Sequence, residues 1–335
     1  IRVIGGGGDD KIVDSSRVRS LRNKTHIYDT RKGNEIITGS TSRNRTSNGP
    51  GVNKYNRKAF KYDVLTPMIT ANYNADDKIF IGGGFVYQKQ GFRKEPFKSK
   101  HKLLGAWAPA TSSWQFDYSG EWTEVVFKWD IETNIVAQAP NFTTNFFGLG
   151  NTTSFNQNAD NDFNLTKSIY YYRTRFRFYS ADILLRRRIG KSALFAFGPH
   201  WQGFEVDEDY DGESRFILDY AAQSGDSLFF DFKTYAGLAV KFEYDTRNSP
   251  TRTIRGLHFQ SDLRGYGALN NASRRFSRLQ ASLAYYQSFR LPTLFTVAMR
   301  LGGGHNFGTS EIYQGQILGG RDFIRAVSYT HLRAH

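Results

Sequence analysis

A glycine- and aspartate-rich stretch near the start of the chain has the residue types and spacing of a metal-binding turn. Gly5–Val13 reads GGGGDDKIV and fits the nonapeptide that binds calcium in stacked β-helix repeats, where glycine permits the turn and aspartate supplies oxygen ligands. Calcium in such repeats is shared between successive turns, and the sequence shows no second copy. A plain Gly-Asp turn is therefore the favoured interpretation, with Asp9 and Asp10 as the calcium candidates.

Other residue patterns predict no chemistry. Gly302–His305 resembles a phosphate-cradling loop, but no helix and no Lys-Ser/Thr pair follows it. The seven histidines have no metal-ligand spacing, the chain has no cysteine, and no Gly-x-Ser-x-Gly elbow is present. We therefore predict no catalytic residue, no cofactor and no metal beyond the calcium candidates, so that this segment is not itself an enzyme.

Two groups of arginines lie in strand-like sequence. The net charge of +14 suits lipid head groups, lipopolysaccharide or nucleic acid. Arg186–Arg188 come just before a turn at Gly190, which favours lipid head groups at a membrane edge over nucleic acid. Arg173, Arg175 and Arg177 alternate with aromatic residues and are predicted to form a basic stripe in a hydrated lumen.

The elements that must position these residues are strands, because apolar and polar residues alternate with a period of two. The clearest runs are Trp114–Trp122, Phe127–Ala137, Tyr170–Phe178, Phe230–Glu243 and Leu279–Arg290. We count about eleven such strands, several about ten residues or longer, against about five or six residues for a typical soluble strand. A tilted membrane strand requires this greater length.

The alternation places aromatic rings on one face and charges on the other. No stretch of about 18 apolar residues occurs, which excludes a transmembrane helix. Short turns alternate with long polar loops at Pro140–Lys167 and Asp207–Ser227, as in outer-membrane barrels. A soluble up-and-down barrel or sandwich also alternates, but a barrel interior would not hold so many aromatic faces. The predicted fold is an all-β, antiparallel transmembrane β-barrel with aromatic residues facing lipid.

Two motifs in the later part of the chain resemble a known family. A turn motif contains Asp245, Arg247, Ser249, Pro250 and Gly256. A second motif contains Gly319, Gly320, Arg321, Ile324 and Arg325. The first is similar to a turn signature of the bacterial surface antigen family, the insertase superfamily of BamA and TamA. The second is similar to the start of that family's sixth extracellular loop, although Ala326 and Val327 stand where the family has glycine and an aromatic residue.

The resemblance implies a domain organisation. In the family the sixth loop follows the eleventh of about sixteen strands and folds back into the lumen, where its arginine, here Arg325, is held by acidic groups on later strands. We therefore expect residues 1–52 to be a polar periplasmic linker or small β segment, and residues 53–325 to be a truncated barrel with about 11 of about 16 strands. Residues 326–335 resemble translated adaptor sequence and are expected to be a non-native tail.

The same resemblance implies several functions. Ile4–Ile12 and Asn145–Asn151 are similar to a subgroup in which such a barrel follows a calcineurin-like metallophosphoesterase domain. The first function is insertion or translocation of outer-membrane or secreted client proteins, or anchoring and display of a linked periplasmic domain. The second is a membrane anchor for a phosphoesterase encoded upstream, and the third is a passive, anion-preferring pore. In each case we expect the bacterial outer membrane as location, lipid and lipopolysaccharide as partners, and no nucleic acid.

Overall fold

The computed structural model describes residues 1–17, 19, 24–49, 51–56, 61–74, 77–148, 171–210, 213–291, 293–318 and 330–333. The chain separates into two compact units, Ile1–Lys61 and Tyr62–His335. The predicted boundary between residues 52 and 53 falls inside the first unit. The reason is local: the side-chain amide of Asn53 donates a hydrogen bond from Nδ2 to the Gly6 carbonyl, and Val52 is buried.

The first unit is built from short parallel strands. They are β1 (Arg2–Ile4), β2 (Lys11–Asp14), β3 (Thr25–Tyr28), β4 (Glu35–Thr38) and β5 (Ser42–Asn44). β1, β3 and β5 form one sheet, and β2 and β4 form another. Ile4 pairs with Tyr28, and Lys11 pairs with Glu35, with the same separation along the sequence in both pairs. The connection between β1 and β2 therefore stacks in register on the connection between β3 and β4.

The second unit contains an antiparallel sheet of eleven strands. They are β6 (Val64–Asn74), β7 (Lys78–Lys89), β8 (Ser99–Ala108), β9 (Ser113–Val126), β10 (Trp129–Asn145), β11 (Arg173–Ile189), β12 (Ala193–Val206), β13 (Lys233–Asp245), β14 (Gly256–Ala268), β15 (Phe276–Leu291) and β16 (Thr293–Gly308). Each strand pairs with its neighbour in sequence, so β6 and β16 are the outermost strands of the sheet within the described residues. The strands are 10 to 17 residues long. The predicted all-β antiparallel fold with about eleven long strands is confirmed.

Few other elements accompany this sheet. Helix α1 (Phe216–Ser224) lies between β12 and β13 and ends at Gly225, which has a left-handed φ of 67°. A 3-10 turn (Ile312–Gln314) follows β16. Strands β17 (Gln316–Leu318) and β18 (Thr330–Arg333) pair with each other. Among the described residues, no helix combines the length and the apolar character that crossing a membrane would require.

The eleven-stranded sheet has two chemically different faces, because successive side chains of a strand point to opposite sides. The apolar face carries the exposed side chains of Ile135, Ile183, Leu238, Leu283 and Phe289. The strand registers place all five on the same side. The alternation predicted for β9, β10, β13 and β15 agrees with this arrangement.

The polar face, on the other side, carries Glu121, Asp182, Arg186, Lys241 and Arg264. Arg264 on β14 contacts Asp182 on β11 at 3.1 Å, although strands three positions apart in a flat sheet are roughly 14 Å from each other. Such a contact requires the sheet to curve toward this side. The polar face is therefore concave.

One sequence prediction is wrong at β11. Arg173, Arg175 and Arg177 lie on the side of the strand that carries exposed Ile183, which is the apolar face. They do not form a basic stripe on the concave polar face. The alternating aromatic residues Phe176 and Phe178 instead lie on the polar face, and they pack against a buried aromatic cluster.

The connections differ between the two ends of the sheet. The connections from β10 to β11 and from β12 to β13 are long and leave the same end. The turn at Gly190–Ser192 lies at the opposite end, where β15 also ends at Leu291 and β16 begins at Thr293. The pattern is not uniform, because the connections 90–98 and 246–255 at that opposite end contain nine and ten residues, respectively, between strand bounds.

Candidate functional site

The concave polar face carries a group of acidic residues gathered around one arginine. Glu121 on β9 and Glu132 on β10 are directly paired in the strand register, an arrangement that like charges oppose. Arg186 on β11 contacts Glu121 at 2.7 Å and Glu132 at 3.2 Å. Lys241 on β13 approaches Glu132 at 3.6 Å. Two cations therefore offset the repulsion, and the strands are linked across the concave side.

A second charged group lies on the same face, further toward the end with the long loops. Arg264 contacts Asp262 at 2.8 Å and Asp182 at 3.1 Å. Asp182 is opposite His200 in the register, and His200 Nε2 is 2.9 Å from the Gly265 carbonyl oxygen. The carbonyl can only accept, so Nε2 carries the proton. The imidazole is thereby fixed beside the ion pair.

An open groove of about 1250 Å³ lies over this face between the charged groups and β16. Its lining includes Arg186, Lys241 and Arg300 together with Gly302 and Gly304. The two glycines alternate along β16 on the polar side. Because they carry no side chain, the backbone of β16 can be approached closely there.

The segment that follows β16 lies on this groove. Gln280 Nε2 donates to Gln316 Oε1 at 2.9 Å, and Gln316 Nε2 donates to Asn306 Oδ1 at 2.9 Å. A Cβ on Gly304 would lie 2.3 Å from Gln316 Oε1, so the glycine leaves the room that this glutamine occupies. Gln314 is almost fully buried. The start of the connection after β16 therefore packs on the polar face.

Aromatic contacts of Tyr313 also hold the segment that follows β16. The ring of Tyr313 stacks on Phe204, and its hydroxyl is 3.4 Å from that of Tyr235. Burial raises the pKa of Glu311, while Lys233 and Arg274 oppose that shift and Asp226 adds to it. Because packing of the segment raises the pKa of Glu311, the stability of this packing depends on pH.

The aromatic cluster continues into the long connection between β12 and β13. It consists of buried Phe146, Phe204, Val206, Tyr210, Ile217, Ala221 and Phe229. Helix α1 supplies Ile217 and Ala221. At this end of the sheet, the polar face is thus covered by packed rings and does not face an open aqueous space.

The residues of the turn motif are brought together between β13 and β14. Arg247 forms two hydrogen bonds with Asp245, at 2.6 and 3.0 Å, and this contact raises the pKa of Arg247. Ser249 Oγ accepts a hydrogen bond from the Arg252 amide, and exposed Pro250 follows it. Gly256 has a φ of +120°, which favours glycine. These contacts stabilise the turn.

One group of possible metal ligands lies beside this turn. In the described part of the chain, only Glu243, Asp245 and His258 form a group of three acidic or histidine residues with ligand atoms within 4.8 Å of one another. The group is already internally satisfied. Arg247 binds both carboxylate oxygens of Asp245, and His258 Nε2 is 2.8 Å from Glu243.

The remaining predicted sites fall elsewhere. Asp9 and Asp10 lie in the first unit, between β1 and β2. The sixth-loop residues Gly319, Gly320, Arg321, Ile324 and Arg325 lie outside the described residues. The family role inferred from the motif therefore stays a prediction.

The charged groups on the polar face are not among the sites predicted from the sequence. The sequence places Arg186 with Arg187 and Arg188 in a cluster facing lipid head groups, but in the structure Arg186 is held by three acidic residues. Arg187 points to the other face and lies over the ring of Trp129. The period-two alternation of the sequence could have shown this, because it places Arg186 and Arg187 on opposite faces of the strand. Finding the acidic partners requires the strand register.

Comparison with known proteins identifies the fold. No protein-family model matches the chain, and no curated protein matches it. Among solved structures, it is similar to "The crystal structure of BamA from Haemophilus ducreyi lacking POTRA domains 1-3", with 12% sequence identity and a TM-score of 0.52. The match covers 80% of this chain and 47% of that chain. The chain therefore has a BamA-like barrel fold over most of its length, and it spans about half the length of the BamA chain that it matches.

Proposed function

We propose that this chain forms an outer-membrane β-barrel segment of the surface antigen type that assists insertion or translocation of client proteins. The observation that carries the proposal is a BamA-like sheet of long strands, apolar on one face and charged on the concave face. An apolar face of this kind suits acyl chains, and ionised groups suit the protected concave side. In this proposal, outer-membrane lipid and lipopolysaccharide are the partners that surround the apolar face of the sheet.

The mechanism in this proposal depends on an edge of the sheet. Among the described residues, β6, the first strand of the sheet, pairs with a strand on one side, so its other side offers backbone N–H and C=O groups. An incoming client strand can add to such an edge by backbone hydrogen bonding, without a chemical reaction. The residues that take part are the backbone groups of Val64–Asn74.

The experiment is photo-crosslinking in lipid vesicles. The full chain would carry benzoylphenylalanine at Ala71 in β6, or at Thr133 in the central strand β10 as the control. A denatured outer-membrane client protein is then added and allowed to insert. We expect crosslinks from Ala71 and faster insertion than in empty vesicles. Equal crosslinking from the central position, or no acceleration, would refute the insertase function.

Anchoring and display of a linked domain is a second candidate role. It is supported by the compact parallel β unit Ile1–Lys61, which precedes the sheet. In this role the linked domain would be the calcineurin-like phosphoesterase suggested by the sequence resemblance. A full-length clone whose upstream region carries clustered Asp, His and Asn ligands, with metal-dependent phosphatase activity in the membrane fraction, would support it. Activity that stays in the soluble fraction would refute it.

The passive anion-preferring pore has lost its main support. That candidate rested on Arg173, Arg175 and Arg177 lining a lumen, and these residues lie on the apolar face. The concave side instead pairs Arg186 and Arg264 with carboxylates. Single-channel recording across a bilayer remains the direct test of conduction.

A further inference from the structure

The first unit contains two turns that stack on each other. Residues 5–10 connect β1 to β2, and residues 29–34 connect β3 to β4. The two turns have equal length and are in register. They are joined by hydrogen bonds from the Asp10 amide to Asn34 Oδ1 at 2.7 Å and from the Gly5 amide to the Tyr28 carbonyl at 3.2 Å. The second turn that the sequence motif lacked is therefore present in the structure, although its residues differ from the motif.

Two carboxylates converge where these turns meet. A Cβ on Gly5 would lie 1.9 Å from Asp29 Oδ2 and 2.8 Å from Asp10 Oδ2. Both oxygens therefore point into the small space beside the Gly5 backbone, and no residue with a side chain would fit there. The pocket has one wall from each turn.

The carboxylate oxygens in this space lack partners. Asp29 is fully buried (0% exposed), and its Oδ2 accepts no hydrogen bond from any described residue. Asp10 Oδ2 is likewise buried and without a partner. The other oxygen of Asp29 accepts a hydrogen bond from the Thr30 amide at 2.7 Å. The nearby cation Lys11 is paired with Glu35 at 2.8 Å. A cation placed between buried carboxylate oxygens that face each other in this way would offset their repulsion and their lost hydration.

We propose that the stacked turns of the first unit form a calcium site, with Asp10 and Asp29 as its carboxylate ligands. Calcium binds oxygen ligands in flexible geometry and accepts backbone carbonyls and water beside carboxylates. The glycine-rich turn supplies carbonyl groups without side chains that would obstruct them. Zinc and copper are disfavoured because the site offers neither histidine nor cysteine. With two carboxylates, we expect a dissociation constant of about 10⁻⁴ to 10⁻³ M, as in weak extracellular calcium modules.

The test measures calcium binding to the full chain in detergent micelles by isothermal titration calorimetry, with magnesium for comparison. Asp29→Asn removes one carboxylate charge and should weaken calcium binding at least about tenfold. Asp10→Asn tests the same site from the other turn and remains informative if the first variant folds poorly. Gly5→Ala should also abolish binding, because its Cβ would occupy the space of Asp29 Oδ2.

Two control variants separate this site from other acidic groups. Glu35→Gln removes one negative charge from the same unit at an exposed ion pair, and His258→Ala removes a ligand of the group beside the β13–β14 turn. Both should bind calcium like the wild type. A wild-type chain that binds no calcium at 10 mM would overturn the proposal, as would Asp29→Asn and Asp10→Asn variants that bind as tightly as the wild type. Because neither outcome involves client insertion, this test is independent of the proposed insertase function.

Discussion

At the scale of single residues, Arg186 is the side chain on which the charged arrangement of the polar face depends most. It lies between Glu121 and Glu132, which oppose each other in adjacent strands. Replacing it with leucine should leave these carboxylates facing each other without their main counter-charge. We expect Arg186→Leu to lower the free energy of unfolding in lipid vesicles by about 2 kcal/mol, less than for a fully buried pair because the groups retain some solvent contact.

Urea titration followed by tryptophan fluorescence measures this loss. The matched control is Arg188→Leu, since Arg188 lies on the same face of β11 but is exposed. The control should change the free energy of unfolding by no more than about 0.5 kcal/mol. Equal losses in both variants would show that Arg186 does not act through its acidic neighbours.

Glu311 predicts a pH dependence for packing of the segment after β16. Because burial raises its pKa, the packed segment holds the proton more tightly than a free segment. Packing is therefore strongest below about pH 4.3, the ordinary value for glutamate, and weakens as the pH rises toward the raised pKa. Hydrogen exchange of the Gln314 amide, which donates to the Glu311 carbonyl, should show less protection at pH 8 than at pH 5, after correction for intrinsic rates.

The variant Glu311→Gln is the control for this titration. A neutral amide cannot titrate, so protection of Gln314 should become independent of pH. Lys233, Arg274 and Asp226 also interact electrostatically with Glu311, and a pH dependence that persists in the variant would assign the effect to one of them instead.

Single residues also mark the limit of what sequence could predict about the site. The turn motif around Asp245 and Arg247 could be found in the sequence through its resemblance to a family signature, and its residues are neighbours in the chain with local contacts. Arg264 and Asp182 could not be found in this way, because they are 82 residues apart and meet only through strand register and curvature. Local contacts leave a signal in a single sequence, and contacts across several strands do not.

At the scale of elements, the segment after β16 is held by the close approach at Gly304. We expect Gly304→Val to displace Gln316 and so to break its hydrogen bonds with Gln280 and Asn306. Chymotrypsin should then cut after Tyr313 several-fold faster than in the wild type. Cleavage of the protein in vesicles, with products identified by mass spectrometry, measures the effect.

The neighbouring glycine supplies the control. Gly303 lies on the opposite face of β16, and a Cβ there would meet no atom within 4 Å. Gly303→Ala should therefore leave the cleavage rate at Tyr313 unchanged. Unchanged cleavage in Gly304→Val would mean that the segment is held by its aromatic contacts alone.

The strands show where sequence periodicity was sufficient and where it was not. In β9, β10, β13 and β15 the aromatic and aliphatic residues occupy the apolar face, as predicted. In β11 the period was right but its assignment to faces was wrong, because Phe176 and Phe178 join a buried cluster on the polar face. Aromatic rings are expected to face lipid only where the polar face of the sheet contacts water. At the end of β11 near the long loops, loop residues and α1 cover the polar face.

For the whole molecule, the proposed function requires the apolar face of the sheet to contact lipid. Leu283→Arg places a charge near the middle of β15 on that face and should lower the free energy of unfolding by about 2 to 4 kcal/mol if the site is near the bilayer midplane. Ser282→Arg, one residue earlier on the polar face, is the matched control. Heat-modifiable migration in gels and urea titration in vesicles report the difference. Equal assembly of the two variants would contradict the assignment.

The first unit shows a different limit of sequence analysis. Its strands are short and parallel, and only one of its two stacked turns fits the glycine-aspartate pattern. The partner turn contributes Asp29 from a sequence without that pattern. A repeat that is preserved in geometry but not in residue type is invisible to a search for repeated motifs.

The most direct test of the central claim is spin-label accessibility along β15 in lipid vesicles. The chain has no cysteine, so single cysteines at positions 279 to 283 can each carry one nitroxide. We expect high accessibility to oxygen at Leu279, Ala281 and Leu283. We expect high accessibility to a water-soluble nickel complex at Gln280 and Ser282, so that the two patterns alternate with a period of two. The reverse phase, or uniform accessibility to the nickel complex, would contradict a sheet whose apolar face meets lipid.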